Sequence, residues 1–216
     1  MDIQNFWSEV GSTKNFTDPF FLDKLASHLN KNSQIIEYGC GYGRILDILH
    51  KSGYQSLMGF DFAAQMIQRG KTLFPHLELQ LINETGKIPL KSQSVDSAIL
   101  STVLCCNPAK KDQESIINEL HRVLKPNGIL YLCDFLVTDS EKFLSRYKEH
   151  AIVGHEDFGI YKTSEGVFVR HHSMQWILKL LKQFTIIWLE EMNDVTMNGN
   201  PVRTFHLTSR KNASRN

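Results

Sequence analysis

The sequence predicts a single doubly wound α/β domain, a mostly parallel sheet with helices on both faces. Three observations carry that expectation. Short apolar runs alternate with segments of helical period through most of the chain, which calls for parallel strands joined by crossovers. The stretch Ile35–Tyr38, apolar but for Glu37, is followed by glycines at alternate positions, Gly39, Gly41 and Gly43, and then by a helical pattern. At 216 residues and 42% hydrophobic, the chain suits one large core better than two small ones.

Taken in order, Asp18 and Pro19 read as an N-cap and first-turn pair, and "PFFLDKLASHLN" behind them has helical spacing. Ile35–Tyr38 reads as a short buried strand, and "RILDILHK" sets Ile45, Leu46, Ile48 and Leu49 on one side of a helix. The alternation continues with "SLMGF" as strand, 63–74 as helix, then "LELQLI" and "SAILSTVL" as strands. "DQESIINELHRVL" is the next helix and "GILYLCDFLV" a long strand. Ser173 caps "MQWILKLLKQF", whose Ile177, Leu180, Leu181 and Phe184 line one side. "TIIWLEE" and "VRTFHLTS" are the last strands, joined through an Asn-Gly turn, and are expected to pair as an antiparallel hairpin at the sheet edge. The tail "RKNASRN" is expected to fray. Residues 136–172 break the pattern, and such an irregular stretch late in a regular α/β chain is expected to be a lid or substrate-binding insertion.

Composition narrows the function classes. Twenty-four Lys plus Arg against 23 Asp plus Glu leave a formal charge of +1, with no long basic run to track a phosphate backbone, so no nucleic-acid partner is expected. The start has no basic segment ahead of an apolar core, and no apolar run approaches the roughly 20 residues of a membrane span. Cys40, Cys105, Cys106 and Cys133 form neither a CxxC pair nor metal-ligand spacing. A cytoplasmic protein without membrane or metal is the expectation, its oligomeric state undetermined.

A strand, a glycine-rich turn and a helix put free N–H groups at the carboxyl end of a parallel sheet, where α/β folds bind their ligands. Asp61 closes the next strand about 20 residues on, where a carboxylate can hold a ribose diol; capping the helix that follows is the lesser reading, and the two roles can coexist. A dinucleotide fingerprint would need its third glycine at position 44, which is Arg44. The pattern is instead E-x-G-x-G-x-G, with Glu37 leading.

At these residues the sequence resembles the class I S-adenosylmethionine-dependent methyltransferases, over roughly residues 33–135. The resemblance implies a Rossmann-like sheet of seven strands with the last one antiparallel, in one domain spanning 1–216. It implies S-adenosyl-L-methionine as cofactor, leaving as S-adenosyl-L-homocysteine, and 1–32 as a helical cover. Glu37, Gly39, Cys40, Gly41 and Gly43 would meet the methionine portion, Asp61 the ribose, and Phe62 and Met66 the adenine. Glu84, or Asn83 if the loop is offset, would meet the adenine amino group, with Thr85 and Ser101 beside the site. "ELHRVLKPNGILYLCDFL" matches the family's helix, turn and fifth strand, with Asn127 where glycine is common.

The acceptor is expected to be a small or medium molecule methylated at O or N. The insertion holds Tyr147, His150, His155, Glu156, Asp157, Tyr161, Arg170, His171 and His172. Of these, His155, His171 and Tyr161 are the candidates for substrate binding or proton removal, because imidazole titrates near neutrality. Asn107-Pro108 reads as a turn, and Met192 and Met197 as edge or loop residues. Three rival readings stay open: an RNA or protein methyltransferase, a nicotinamide-dependent oxidoreductase, and a noncatalytic cofactor-binding partner.

Overall fold

The computed structural model describes residues 3–11, 13–149 and 158–213. His150, His155, Glu156 and Asp157 lie outside the described residues. Seven strands build one sheet: β1 (Ile35–Tyr38), β2 (Leu57–Asp61), β3 (Glu78–Leu81), β4 (Val95–Ser101), β5 (Leu124–Leu136), β8 (Phe184–Val195) and β9 (Pro201–Lys211). Their order is β3-β2-β1-β4-β5-β9-β8, with β1 to β5 mutually parallel and β9 antiparallel to both its neighbours. The chain reverses direction across the sheet between β1 and β4. That switch point is where a crevice opens beyond the strand ends.

Consecutive residues of a central strand face opposite ways, so a strand covered on both sides must be apolar throughout. β1 obeys this except at Glu37, which lines the cavity: Ile36 and Tyr38 pack with Phe60, Leu100, Ile117 and Leu120, while Ile35 packs with Leu46, Leu49 and Leu57 on the other face. In β5, Leu130 and Leu132 take the first face, and Ile129 and Tyr131 the second. Helices α5 (Lys110–Val123) and α7 (Met174–Leu180) cover the first, and α3 (Arg44–Lys51) the second. Ser173 caps α7 as expected, accepting the Trp176 N–H at 3.2 Å. α4 is Ala64–Leu73.

The leading helix departs from expectation. Asp18 caps nothing, and only Leu22–Ala26 is helical (α2), with Phe21 at its N-cap. Aromatic docking overrides the local pattern: Phe20 meets Tyr131 at 5.0 Å, Phe21 meets His206 at 4.9 Å, and the Phe21 N–H donates to the Tyr131 hydroxyl. An earlier helix, α1 (Ile3–Val10), was not anticipated, although Ile3, Phe6, Trp7 and Val10 stand at helical spacing. The final hairpin is longer than expected, and β9 lies inside the sheet while β8 forms the edge. Arg210 and Lys211, expected to fray, belong to β9, and buried Lys211 donates to the carbonyls of His121 and Leu124.

The insertion folds as α6 (Glu141–Glu149) and a two-stranded ribbon, β6 (Ile160–Lys162) and β7 (Phe168–Arg170). Phe143, Tyr147 and Tyr161 form a small core of their own against Val202. No helix among the described residues is long and apolar enough to cross a membrane.

Candidate active site

The cavity sits over the switch point, and its floor is the loop after β1. Gly39, Gly41 and Gly43 all take positive φ, at 72°, 54° and 88°. At Gly39 a Cβ would stand 2.3 Å from a Val103 methyl, and at Gly41 it would stand 2.4 Å from the Phe16 ring. Side chains are excluded there by backbone conformation and by space alike. The loop is tied to β2: Gly39 and Cys40 donate to the Phe60 carbonyl, and Asp61 Oδ2 accepts the Gly41 N–H at 2.8 Å.

Asp61 Oδ1 accepts the Ala63 N–H, also at 2.8 Å, so the carboxylate orders the α4 entrance and the glycine loop together. Each oxygen keeps acceptor capacity towards the cavity that Asp61 lines. Burial raises its pKa above the usual carboxylate range, partly offset by the N–H groups of Ala63, Gly41 and Phe62. Glu37 is buried, and burial pushes its carboxyl well up, with Arg44 pulling it down and Asp61 pushing the same way as burial. Its Oε2 has no hydrogen-bond partner. Arg44 donates from one terminal nitrogen to the Asp18 carbonyl at 2.7 Å, while its buried Nε is likewise unpartnered. A carboxyl and a guanidinium, each with an unfilled bonding position, therefore line one cavity.

β4 ends at Ser101 because Thr102, at φ 52°, turns the chain out of the sheet. The following 3₁₀ turn, Leu104–Cys106, is held by Asp134, whose Oδ2 accepts the Cys105 N–H at 3.1 Å. Across the cavity stand the N-terminal segment (Phe6, Trp7, Phe16), the insertion (Phe143, Arg146, Tyr161, His171) and the β8–β9 turn (Met197, Asn198). At the mouth, Lys14 donates to Asn198 Oδ1, and Asn198 Nδ2 donates to Glu165.

His171 is buried between two tyrosines, Nδ1 lying 2.6 Å from the Tyr147 hydroxyl and Nε2 3.2 Å from that of Tyr161. The Tyr147 oxygen already accepts the Thr138 N–H. Its own proton then has His171 Nδ1 as acceptor, which makes Nε2 the N–H and leaves the Tyr161 O–H directed at the cavity. Burial lowers the His171 pKa to about 3, with His172 and Arg146 acting the same way against Asp134. Among the described residues no group of three or more His, Cys, Asp and Glu could hold a metal ion.

A family model described as a methyltransferase domain matches residues 36–132. An uncharacterized methyltransferase-like protein of Schizosaccharomyces pombe is 29% identical over 151 residues, covering 66% of this chain and 54% of that protein. The ubiquinone/menaquinone biosynthesis C-methyltransferase UbiE of Campylobacter jejuni is 27% identical over 133 residues, covering 58% and 54%. The crystal structure of a SAM-dependent methyltransferase from Methanosarcina mazei matches with a TM-score of 0.81 at 24% identity, over 92% of this chain and 100% of that one. Residues 36–132 of this chain match a methyltransferase domain, and the chain has the fold of the Methanosarcina mazei SAM-dependent methyltransferase. The chain spans about half the length of the curated relatives it matches.

Within this methyltransferase fold the cavity gathers Glu37, Gly39, Cys40, Gly41, Asp61, Phe62, Met66, Ser101, Tyr161 and His171. The Cys40 thiol is buried in the core beneath the loop, where a Cβ on Gly59 would lie 2.7 Å from it. Gly43 stands behind the loop against Leu77 and Leu79. Glu84 and Thr85 are not brought to the cavity: both are exposed, as is Asn83, and Glu84 pairs with Lys87. The reason is Gly86, whose N–H is bound by the buried Tyr38 hydroxyl and which packs tightly on Ser115, pinning the loop with residues 83–85 outward. Asp18, Arg44, Arg146 and the 196–200 turn escaped the sequence reading as site residues. Arg146 carried a signal, since Phe143, Arg146 and Tyr147 share one helical face by spacing.

Proposed function

We propose that this chain transfers a methyl group from S-adenosyl-L-methionine to a small or medium molecule, at O or N. The observation that carries the reading is the pair of unfilled positions, Glu37 Oε2 and Arg44 Nε, beside a glycine loop clamped by Asp61. An amino acid ammonium fits the first and its carboxylate the second, while a ribose diol fits the remaining acceptor capacity of Asp61. The residues present thus fit the cofactor. Phe62 and Met66 would flank its adenine. When bound, the cofactor supplies an electrophilic methyl group on a cationic sulfur, so the protein's work is placement.

The insertion, the N-terminal segment and the β8–β9 turn wall in the acceptor side, which favours a small acceptor over a polymer. His171 is neutral and engaged by both tyrosines, so its role is to aim the Tyr161 hydroxyl at the acceptor. His155 remains a candidate proton acceptor from sequence alone.

The test is calorimetry with S-adenosyl-L-homocysteine against NADH. Wild type is expected to bind the former only. Asp61→Ala removes the acceptor for Gly41 and Ala63 as well as for the ribose, and is expected to lose about 2–4 kcal/mol of binding, roughly 30-fold or more. Binding of NADH, or an unchanged affinity in Asp61→Ala, would count decisively against the proposal. Mass analysis of the labelled product then assigns the methylated atom, a carbon included, since the Campylobacter relative is named as a C-methyltransferase.

A further inference from the structure

The charged groups around the cavity divide unevenly. Asp18 and Glu37 lie in the field of Arg44, Asp61 accepts two backbone N–H groups, and Glu165 takes the Ser164 hydroxyl and Asn198 amide in the field of Lys14. Arg146 is different. Its guanidinium, half-buried on α6, lines the cavity beside two aromatic rings that touch each other, 5.6 Å from the Phe143 centroid and 5.7 Å from that of Tyr161. No carboxylate among the described residues forms an ion pair with it.

Ring faces hold a guanidinium's plane without consuming its N–H groups, so the fork stays available for a planar oxyanion. The wall beside it is apolar, formed by Phe135, Phe143 and Val169. The hydroxyl of Tyr161 supplies a further donor to the same space, and Arg146 opposes the effect of burial at that phenol. A flat apolar body with one anionic end matches this set, because an uncharged acceptor would leave a cation in the wall without a counterion.

Resting on the methyl-transfer reading, we propose that the acceptor is a small planar organic acid whose carboxylate is held by Arg146. The carboxylate takes two guanidinium N–H bonds, the ring lies along Phe135 and Phe143, and Tyr161 donates to an acceptor oxygen or nitrogen. Recognition of this kind discriminates an acid from its own amide, which has the same shape and no charge.

The experiment uses the full chain loaded with S-adenosyl-L-homocysteine and two matched probe pairs: 4-hydroxybenzoate with 4-hydroxybenzamide, and indole-3-carboxylate with its amide. Calorimetry is expected to show the acid binding about tenfold tighter than the amide in at least one pair. Arg146→Gln should erase that preference and Arg146→Lys should keep part of it as a point charge, with the affinity for S-adenosyl-L-homocysteine unchanged in both. Equal affinity for acid and amide, binding of no probe, or a preference that survives in Arg146→Gln overturns the proposal. Should S-adenosyl-L-homocysteine itself fail to bind, the methyl-transfer reading falls, and the same titrations on the unloaded chain still decide whether Arg146 selects acids.

Discussion

Gly39 shows how one missing side chain sets the site. Its φ of 72° and the Val103 methyl facing it at 2.3 Å from a would-be Cβ impose two separate penalties, strain and overlap. Gly199 isolates the first, since it has nearly the same φ, 75°, with nothing within 4 Å of an added Cβ. Gly199→Ala is therefore expected to cost about 1 kcal/mol, and Gly39→Ala about 2–4 kcal/mol, because Val103 must also move. Urea unfolding of both variants compares the two directly; equal losses would mean that Val103 yields freely. As neighbours at one cavity, Glu37, Gly39, Gly41 and Asp61 were readable in the sequence, because β1, its loop, α3 and β2 form one continuous unit. Arg146 and the 196–200 turn were not, since they reach the cavity through tertiary folding of the insertion and the last hairpin. The exposed position of Glu84, outside the cavity lining, has a related cause: nothing local reports that Tyr38 grips Gly86 from 48 residues away.

Among the elements, the parallel strands and their helices matched the apolar pattern because each is buried by regular neighbours. The helix expected after Pro19 did not, because the shape of the N-terminal segment is set by aromatic contacts with partners distant in sequence. Phe16 stacks on Tyr42 with ring centroids 5.4 Å apart and planes within 4° of parallel, directly above Gly41, while Trp7 meets it edge-on at 5.7 Å. Such a ring cluster contributes about 0.5–1.5 kcal/mol per pair beyond its buried area. It covers the loop on which the cofactor would rest, so its loss should show in exchange more than in folding. Phe16→Ala is expected to speed dissociation of S-adenosyl-L-homocysteine by up to about tenfold while leaving most of the association rate intact. Stopped-flow displacement measures this, and an unchanged off-rate would remove the segment's role as a cover.

Across the molecule as a whole, burial holds His171 and His206 neutral among the described residues, with pKa values near 3 and near 4, because it disfavours the imidazolium. Glu37 and Asp61 shift the opposite way, upward by burial, so the native state also retains protons on carboxyls that the unfolded chain would release. The signs differ in consequence. A carboxyl with a raised folded pKa contributes stability below its unfolded pKa, and that contribution is lost as pH rises through the folded one. A histidine with a lowered folded pKa contributes stability above about pH 6.5, and that contribution is lost as pH falls towards the folded value, because the unfolded chain then binds the extra proton. Comparing wild type with His171→Asn at each pH cancels the carboxyls and isolates the histidine, whose charged neighbours, Asp134 and Arg146, are common to both proteins. The variant loses the bonds to Tyr147 and Tyr161 and should be less stable at pH 7.5. Between about pH 6.5 and 5 the gap should move in the variant's favour by about 1.5 kcal/mol, because the unfolded imidazole goes from half to almost fully protonated over that interval. Urea titrations at the two pH values read the gap, and a gap independent of pH would show that folded His171 takes up its proton as readily as the unfolded chain does, so that burial between Tyr147 and Tyr161 does not hold it neutral.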